Sequence, residues 1–251
     1  MTKLYSDFAT LYHRVYPSFI DYEEQHRFYA GLLQKYGCHS VLEVGCGTGQ
    51  LARRMLAEGW DYQGMDLSEE MLGIAREEAP RGRFFQGDMR DFRLPKKVEA
   101  LIIPARSVSY LLENKDVEAA FSAFRNNLAE GGKLIFDFID AHTHFLNMDA
   151  GTPILHAAHD GQTTWERKSI YHKNLQTGWT WDWHSAYFEV RPDGSKIEIA
   201  RDEATLRAFL PGEMDLFLAL AGFKVLERIE IGSYAFKTFV FVATRIGATR
   251  I

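Results

Sequence analysis

The chain is short of the features that would set it apart from ordinary globular proteins. Only two cysteines, Cys38 and Cys46, occur in 251 residues, too few for a disulfide framework. No Lys/Arg-rich run is present and the formal net charge is −5. A nucleic-acid partner held through its phosphates is therefore not expected. No apolar run approaches the ~18–20 residues that cross a bilayer, and the amino-terminal residues lack the apolar core of a secretory signal. The expectation is a cytoplasmic protein with no membrane partner. Internal repeats and low-complexity linkers are lacking too. What remains is ample core material, with 46% hydrophobic and 14% aromatic residues, in a length that suits one domain with an insertion.

The most informative stretch is 41–50, Val-Leu-Glu-Val-Gly-Cys-Gly-Thr-Gly-Gln. Val41, Leu42 and Val44 suit a strand covered on both faces. Gly45, Gly47 and Gly49 permit a tight turn and close approach of a ligand. Leu51, Met55 and Leu56 then recur at helical spacing. Such a junction aims free backbone N–H groups over the turn. A dinucleotide fingerprint needs its third glycine three residues after the second, and Gln50 stands there. Glu43, two positions before the first glycine, would repel a pyrophosphate. A cationic, zwitterionic ligand fits better.

At this point the sequence resembles the class I S-adenosylmethionine-dependent methyltransferases, whose first motif has the form E-x-G-x-G-x-G. The resemblance implies S-adenosylmethionine as cofactor, with Glu43 near its methionyl end and the turn Gly45, Cys46, Gly47, Gly49 packed beneath it. It continues in order along 36–140 and resumes at 211–245. Asp66 ends a second strand about 20 residues after the turn, the spacing of a ribose-binding carboxylate; Leu67 and Met71 follow it, with Ser68 as a helix cap. After a third strand, Asp88 and Met89 match the family's adenine-contacting acid and apolar residue, with Asp91 as the alternative acid. A fourth strand leads to Ala105, also assigned to the cofactor, and to Arg106, where the family commonly has an Asn-like residue. Arg106 fits a carboxylate-bearing acceptor or a surface salt bridge. A helix over 116–128 and a Gly131-Gly132 turn then enter a fifth strand.

The fold expected is α/β, a doubly wound Rossmann-like sheet of seven strands with the last antiparallel. Residues 1–35 form a helical lid, 36–145 and 209–251 the core, and 146–208 an inserted antiparallel β subdomain. Strands are expected there over 163–171, 177–190 and 195–200. Four of the five tryptophans fall in this insertion. Trp179, Trp181, Trp183 and Tyr187 share one strand face by period two. That stripe lines an acceptor pocket, packs internally, or forms a homodimer contact.

Candidate catalytic groups are Tyr12, where lidded relatives often place an aromatic, and His142, a possible general base after the fifth strand. His142, His144, Asp137 and Asp140 have no third metal ligand at fixed spacing, so no metal site is expected. The function expected is methyl transfer to a nitrogen or oxygen of a small molecule by in-line displacement. A methyltransferase for RNA or protein, a non-catalytic cofactor-binding protein and a dinucleotide-dependent reductase are the alternatives.

Overall fold

The computed structural model describes residues 2–232 and 236–247. The chain runs through α1 (Ala9–Val15), α2 (Tyr22–Lys35), β1 (Ser40–Val44), α3 (Gln50–Ala57), β2 (Asp61–Asp66), α4 (Glu69–Glu78), β3 (Arg83–Gln86), β4 (Val98–Ile103), α5 (Asn114–Asn127) and β5 (Leu128–Ile139). After α6 (Ala141–Asn147) come four strands of a separate sheet: β6 (Ile154–His159), β7 (Thr164–Lys173), β8 (Thr180–Val190) and β9 (Lys196–Arg207). The chain then returns through α7 (Pro211–Leu220), β10 (Phe223–Ile231) and β11 (Thr238–Arg245).

The large sheet has the order β10-β11-β5-β4-β1-β2-β3. Strands β1 to β5 pair in parallel, and β11 is antiparallel to both its neighbours. Apolar runs such as Val41–Val44 and Leu101–Ile103 are buried because helices cover both faces. Phe121, Phe124, Phe136, Phe138 and Phe241 are fully buried in one of these layers, each contributing about 1.5–3 kcal/mol by leaving water. Local signals set the helix starts. The Asp21 carboxylate accepts from the N–H groups of Glu23 and Glu24 at 3.0 and 2.9 Å; Ser68 Oγ accepts from Met71 N–H at 3.1 Å. Caps of this kind contribute ~1 kcal/mol each. Between β1 and β4 the winding reverses, which opens a crevice at the carboxyl ends of those strands.

Three expectations need correcting. The Gly131-Gly132 pair does not precede the fifth strand but lies inside it, where the register with β4 jumps between Leu128 and Lys133. Gly131 has φ +70°, and a Cβ on Gly132 would lie 3.0 Å from two carbonyl oxygens, so the pair forms an irregularity that only glycine fits. The small sheet has four strands, not three; β6 was missed because Ile-Leu-His-Ala-Ala-His lacks alternation, and β9 runs on to Arg207. The amino-terminal segment also divides. Residues 2–20 lie on the small sheet, where Leu4, Val15 and Tyr16 share a cluster with Ala158, Trp165 and Tyr187. By contrast α2 joins the large sheet, packing Tyr29, Leu32 and Leu33 with Val41 and Leu51.

Polar contacts fasten residues 2–20 to that sheet. Leu4 N–H donates to Asp202 at 3.1 Å, and Arg14 binds Asp160 through Nε and Nη2 at 2.9 and 2.7 Å. Arg167, buried in β7, donates to Tyr16 Oη at 3.3 Å and lies over the Phe19 and Trp183 rings. The amino-terminal segment and small sheet thus form one roof above the crevice.

Candidate active site

A cavity of about 510 Å³ lies between the carboxyl edge of the large sheet and this roof, within the range of roughly 300–1,000 Å³ typical of ligand sites. Its floor includes Val44, Gly45, Gly47, Met65 and Asp66. Gly45, Gly47 and Gly49 all have positive φ (76°, 52° and 75°), which explains the G-x-G-x-G spacing. Their uses differ. A Cβ on Gly47 would meet nothing within 4 Å, leaving open space over the turn, whereas one on Gly49 would lie 3.0 Å from Ala75 Cα. Gly49 therefore serves the close packing of α3 on α4 and does not line the cavity. Cys46 is also turned inward, its Sγ filling the space that Gly64 leaves free.

Asp66 sits where the sequence places a ribose-binding acid. It lines the cavity and accepts from the N–H groups of Gly47 (2.8 Å) and Ser68 (2.9 Å). Burial raises its pKa, and these N–H bonds oppose the rise. A carboxylate has about four lone-pair sites, so capacity remains for a ligand hydroxyl. Leu67 and Met71 line the same end.

Glu43 departs from its expected place. It is 3% exposed, receives the Tyr62 hydroxyl, and lies behind the glycine turn rather than on the cavity wall. Burial, with Asp66 adding to it, pushes its carboxyl to about 8 against the opposing Tyr62 bond, so it is mostly protonated at neutral pH. Alternation along β1 is the cause: Val44 reaches the cavity and Glu43 does not.

Asp88 and Met89 line the cavity and Asp91 does not. Asp88 is already engaged, with Arg90 Nε at 3.0 Å from Oδ1 and Nη2 at 2.6 Å from Oδ2. The Arg90 guanidinium holds its carboxyl below the usual range, so any ligand amino group shares it. Ala105, Arg106 and Ser107 form the adjoining wall, Ala105 and Arg106 with φ 60° and 62°.

From the roof, Tyr5, Tyr12 and Tyr16 reach the cavity. Tyr12 stacks on Tyr16 with centroids 4.0 Å apart, and Tyr5 Oη lies 2.9 Å from Tyr110 Oη of the floor. Burial drives the Tyr5 hydroxyl upward, with the neighbouring Tyr110, Tyr16 and Tyr12 adding to it, so it stays protonated and acts as a hydrogen-bonding group. His142 is elsewhere: it is exposed on α6 and does not line the cavity. Asp140 caps α6 by accepting from Thr143 N–H at 3.2 Å, and the helix phase then turns Ala141, His144 and Phe145 inward and His142 out. His144 is buried against Trp181 and Phe236, and burial lowers its pKa to about 4. Among the described residues no group of His, Cys, Asp and Glu is arranged to hold a metal.

The tryptophan stripe divides. Trp181 is fully buried with Tyr171 and Phe236, Tyr187 packs beneath Tyr16, Trp183 lines the cavity, and Trp179 is partly exposed. Most of the stripe is thus covered within the chain, with Trp179 left at the surface. Sequence reasoning missed Thr205, Leu206 and Phe236 on the wall, because only the long-range docking of β9 and of the segment before β11 brings them there; it also passed over Tyr110, which the turn after β4 carries to the floor.

Residues 41–132 match a family profile described as a methyltransferase domain. Over 98 residues the chain is 40% identical to a dTDP-3-amino-3,4,6-trideoxy-alpha-D-glucopyranose N,N-dimethyltransferase of Streptomyces venezuelae, covering 39% of this chain and 41% of that one. It is 27% identical over 157 residues to a dTDP-3-amino-3,6-dideoxy-alpha-D-glucopyranose N,N-dimethyltransferase of Streptomyces fradiae, covering 57% and 62%. The chain thus spans about half the length of these sequence relatives. The fold is similar over nearly all its length to that of DesVI from Streptomyces venezuelae, with TM-score 0.79, 25% identity and coverage of 96% and 98%. It is also similar to CalS10, an amino pentose methyltransferase from Micromonospora echinaspora, with TM-score 0.73, 24% identity and coverage of 90% and 92%.

Proposed function

We propose that this chain, which has the fold of the class I S-adenosylmethionine-dependent methyltransferases and carries a methyltransferase domain at residues 41–132, moves a methyl group to an amino nitrogen of a small molecule. The observation that carries this reading is a single cavity bounded on one side by Gly45, Gly47, Asp66 and Met89 and on the other by Tyr12, Trp183 and Thr205. The first set fits the cofactor. The open space over Gly47 admits close backbone approach, Asp66 would accept the ribose hydroxyls, and Asp88 with Met89 would hold the base. Bound there, S-adenosylmethionine supplies a methyl group already activated on a sulfonium.

The work left to the protein is orientation. Holding the reactants near attack distance contributes roughly 7–11 kcal/mol to such a transfer. The roof covers the cavity, and Tyr5 and Tyr110 offer neutral hydroxyls, beside the ring of Tyr12, to fix the acceptor. An ammonium acceptor sheds its proton to solvent before its nitrogen lone pair attacks. The residues of floor and roof would hold that nitrogen in line with the activated methyl group, so that its transfer from sulfur to nitrogen would need no further activation. Amine over hydroxyl is favoured because both sequence relatives described above are N,N-dimethyltransferases acting on dTDP-linked amino sugars; a nucleotide-linked amino sugar is the first acceptor class to try.

The test is incubation with S-adenosylmethionine labelled in its methyl group and a panel of amino sugars, phenols and carboxylates, followed by mass spectrometry. Label appearing on an amine supports the reading. Label confined to oxygen acceptors, or no turnover with a bound cofactor, contradicts it.

A further inference from the structure

Two carboxylates hold the floor of the cavity, the half-buried Asp66 and the buried Asp137, and the reading above gives no part to Asp137. It lies near the carboxyl end of β5 and is 5% exposed. Its Oδ1 accepts the Arg106 backbone N–H at 2.6 Å, and the Ala105 N–H beside it also favours the charged carboxylate. The residues it holds are unusual. Ala105 and Arg106 are consecutive non-glycine residues at φ 60° and 62°, a region where Cβ crowds the following carbonyl oxygen. A pair of such residues persists only where the surroundings over-determine it, and such strain gathers at ligand sites.

The held turn is itself a template for the next one. Ser107 approaches Gly45 so closely that a Cβ there would lie 2.7 Å from Ser107 Oγ. Strands β5, β4 and β1 are adjacent in that order. The contacts therefore run without a break from Asp137, through Ala105 to Ser107, to Gly45 of the glycine turn. Ala105, Arg106, Ser107 and Gly45 all line the cavity.

A carboxylate is a costly group to bury, and an ionised acceptor gives the stronger bond to backbone donors. The charged and titratable groups that face Asp137 are Arg106 on the turn and Tyr29 on α2. Desolvation raises its carboxyl to about 6, against the pull of Arg106 and the backbone N–H groups.

We infer that Asp137 is a positioning residue, whose buried carboxylate holds Ala105 and Arg106 in the left-handed conformation and so sets one wall of the ligand cavity against Gly45. This rests on the cofactor reading above, since the wall matters only if a ligand packs on it.

Calorimetric titration of the full chain with S-adenosylhomocysteine between pH 5 and 7 tests it, a range that stays below the titration of Glu43. Wild-type affinity should fall several-fold as pH drops through about 6. Asp137→Asn keeps an oxygen acceptor but not the charge, so its affinity should match the low-pH wild-type value and stay flat with pH. Adding Ala105→Gly to Asp137→Asn should restore much of the loss, because glycine reaches φ near +60° without a clamp. A residue that merely supported folding would lower thermal stability without producing this pH limb or this rescue. A flat wild-type profile, or Asp137→Asn binding like wild type throughout, overturns the inference while leaving the cofactor reading intact. Failure of the wild type to bind at any pH overturns both.

Discussion

Gly47 donates its backbone N–H to the Asp66 carboxylate at 2.8 Å, tying the glycine turn after β1 to the end of β2. The residue assigned to the ribose thus also shapes the surface on which the cofactor would lie. Asp66→Ala removes both functions. Its affinity for S-adenosylhomocysteine should fall 10-fold or more, that is by about 1.4 kcal/mol at least, as measured by calorimetry. Unchanged affinity would remove the ribose assignment.

The three glycines of the first motif should separate by phenotype. Gly45→Ala places a Cβ against Ser107 at φ +76° and should cost binding, by ~10-fold or more, because the wall it disturbs faces the cavity. Gly49→Ala, at φ +75° with Ala75 Cα only 3.0 Å away, should instead destabilise by ~1–3 kcal/mol through strain and overpacking between α3 and α4. Thermal melts with calorimetry on the folded fraction would distinguish the two. Equal effects of both changes on ligand affinity would contradict the assignment.

Much of this was legible in the sequence because it is local. The glycine spacing, the acid 20 residues on and the Gly-Asp-Met after β3 each report a strand end and its turn, and the structure brings Asp66, Asp88 and Met89 to one cavity. Glu43 lies buried behind the turn and off the cavity wall, since strand alternation alone does not say which face meets the ligand. His142 was judged by chain distance, and two residues of helix phase set it on the exposed face of α6 and His144 on the buried one, with neither on the cavity wall. The roof was the least legible part. Trp183 and Thr205 reach the wall through strand pairings whose register no short motif encodes, and Phe236 on the segment before β11.

Glu43 gives the protein a pH signature. Its folded-state pKa of about 8 stands above the ordinary carboxylate value, so between those two values the folded state holds a proton that the unfolded state has lost. Stability should therefore fall as pH rises across that window, by up to about 1.4 kcal/mol per unit from this group. Glu43→Gln should flatten the decline in melting temperature between pH 6 and 8. A variant that melts with the wild-type slope would refute the buried protonated state.

Tyr12 and His142 should part in the same way. Tyr12→Phe removes a hydroxyl at the cavity wall and should lower kcat for methyl transfer several-fold, with S-adenosylhomocysteine affinity within about 3-fold of wild type. His142→Ala, at an exposed position off the cavity, should leave both quantities near wild type. Loss of turnover in His142→Ala, with pH dependence to match, would restore it as a base.

The central claim concerns which cofactor the glycine turn accepts. Calorimetric titration of the wild type with S-adenosylmethionine, S-adenosylhomocysteine and NADH in parallel tests it most directly. Micromolar binding of the two sulfur ligands, with none of NADH, is the predicted result. Binding of NADH, or of neither sulfur ligand, would contradict it.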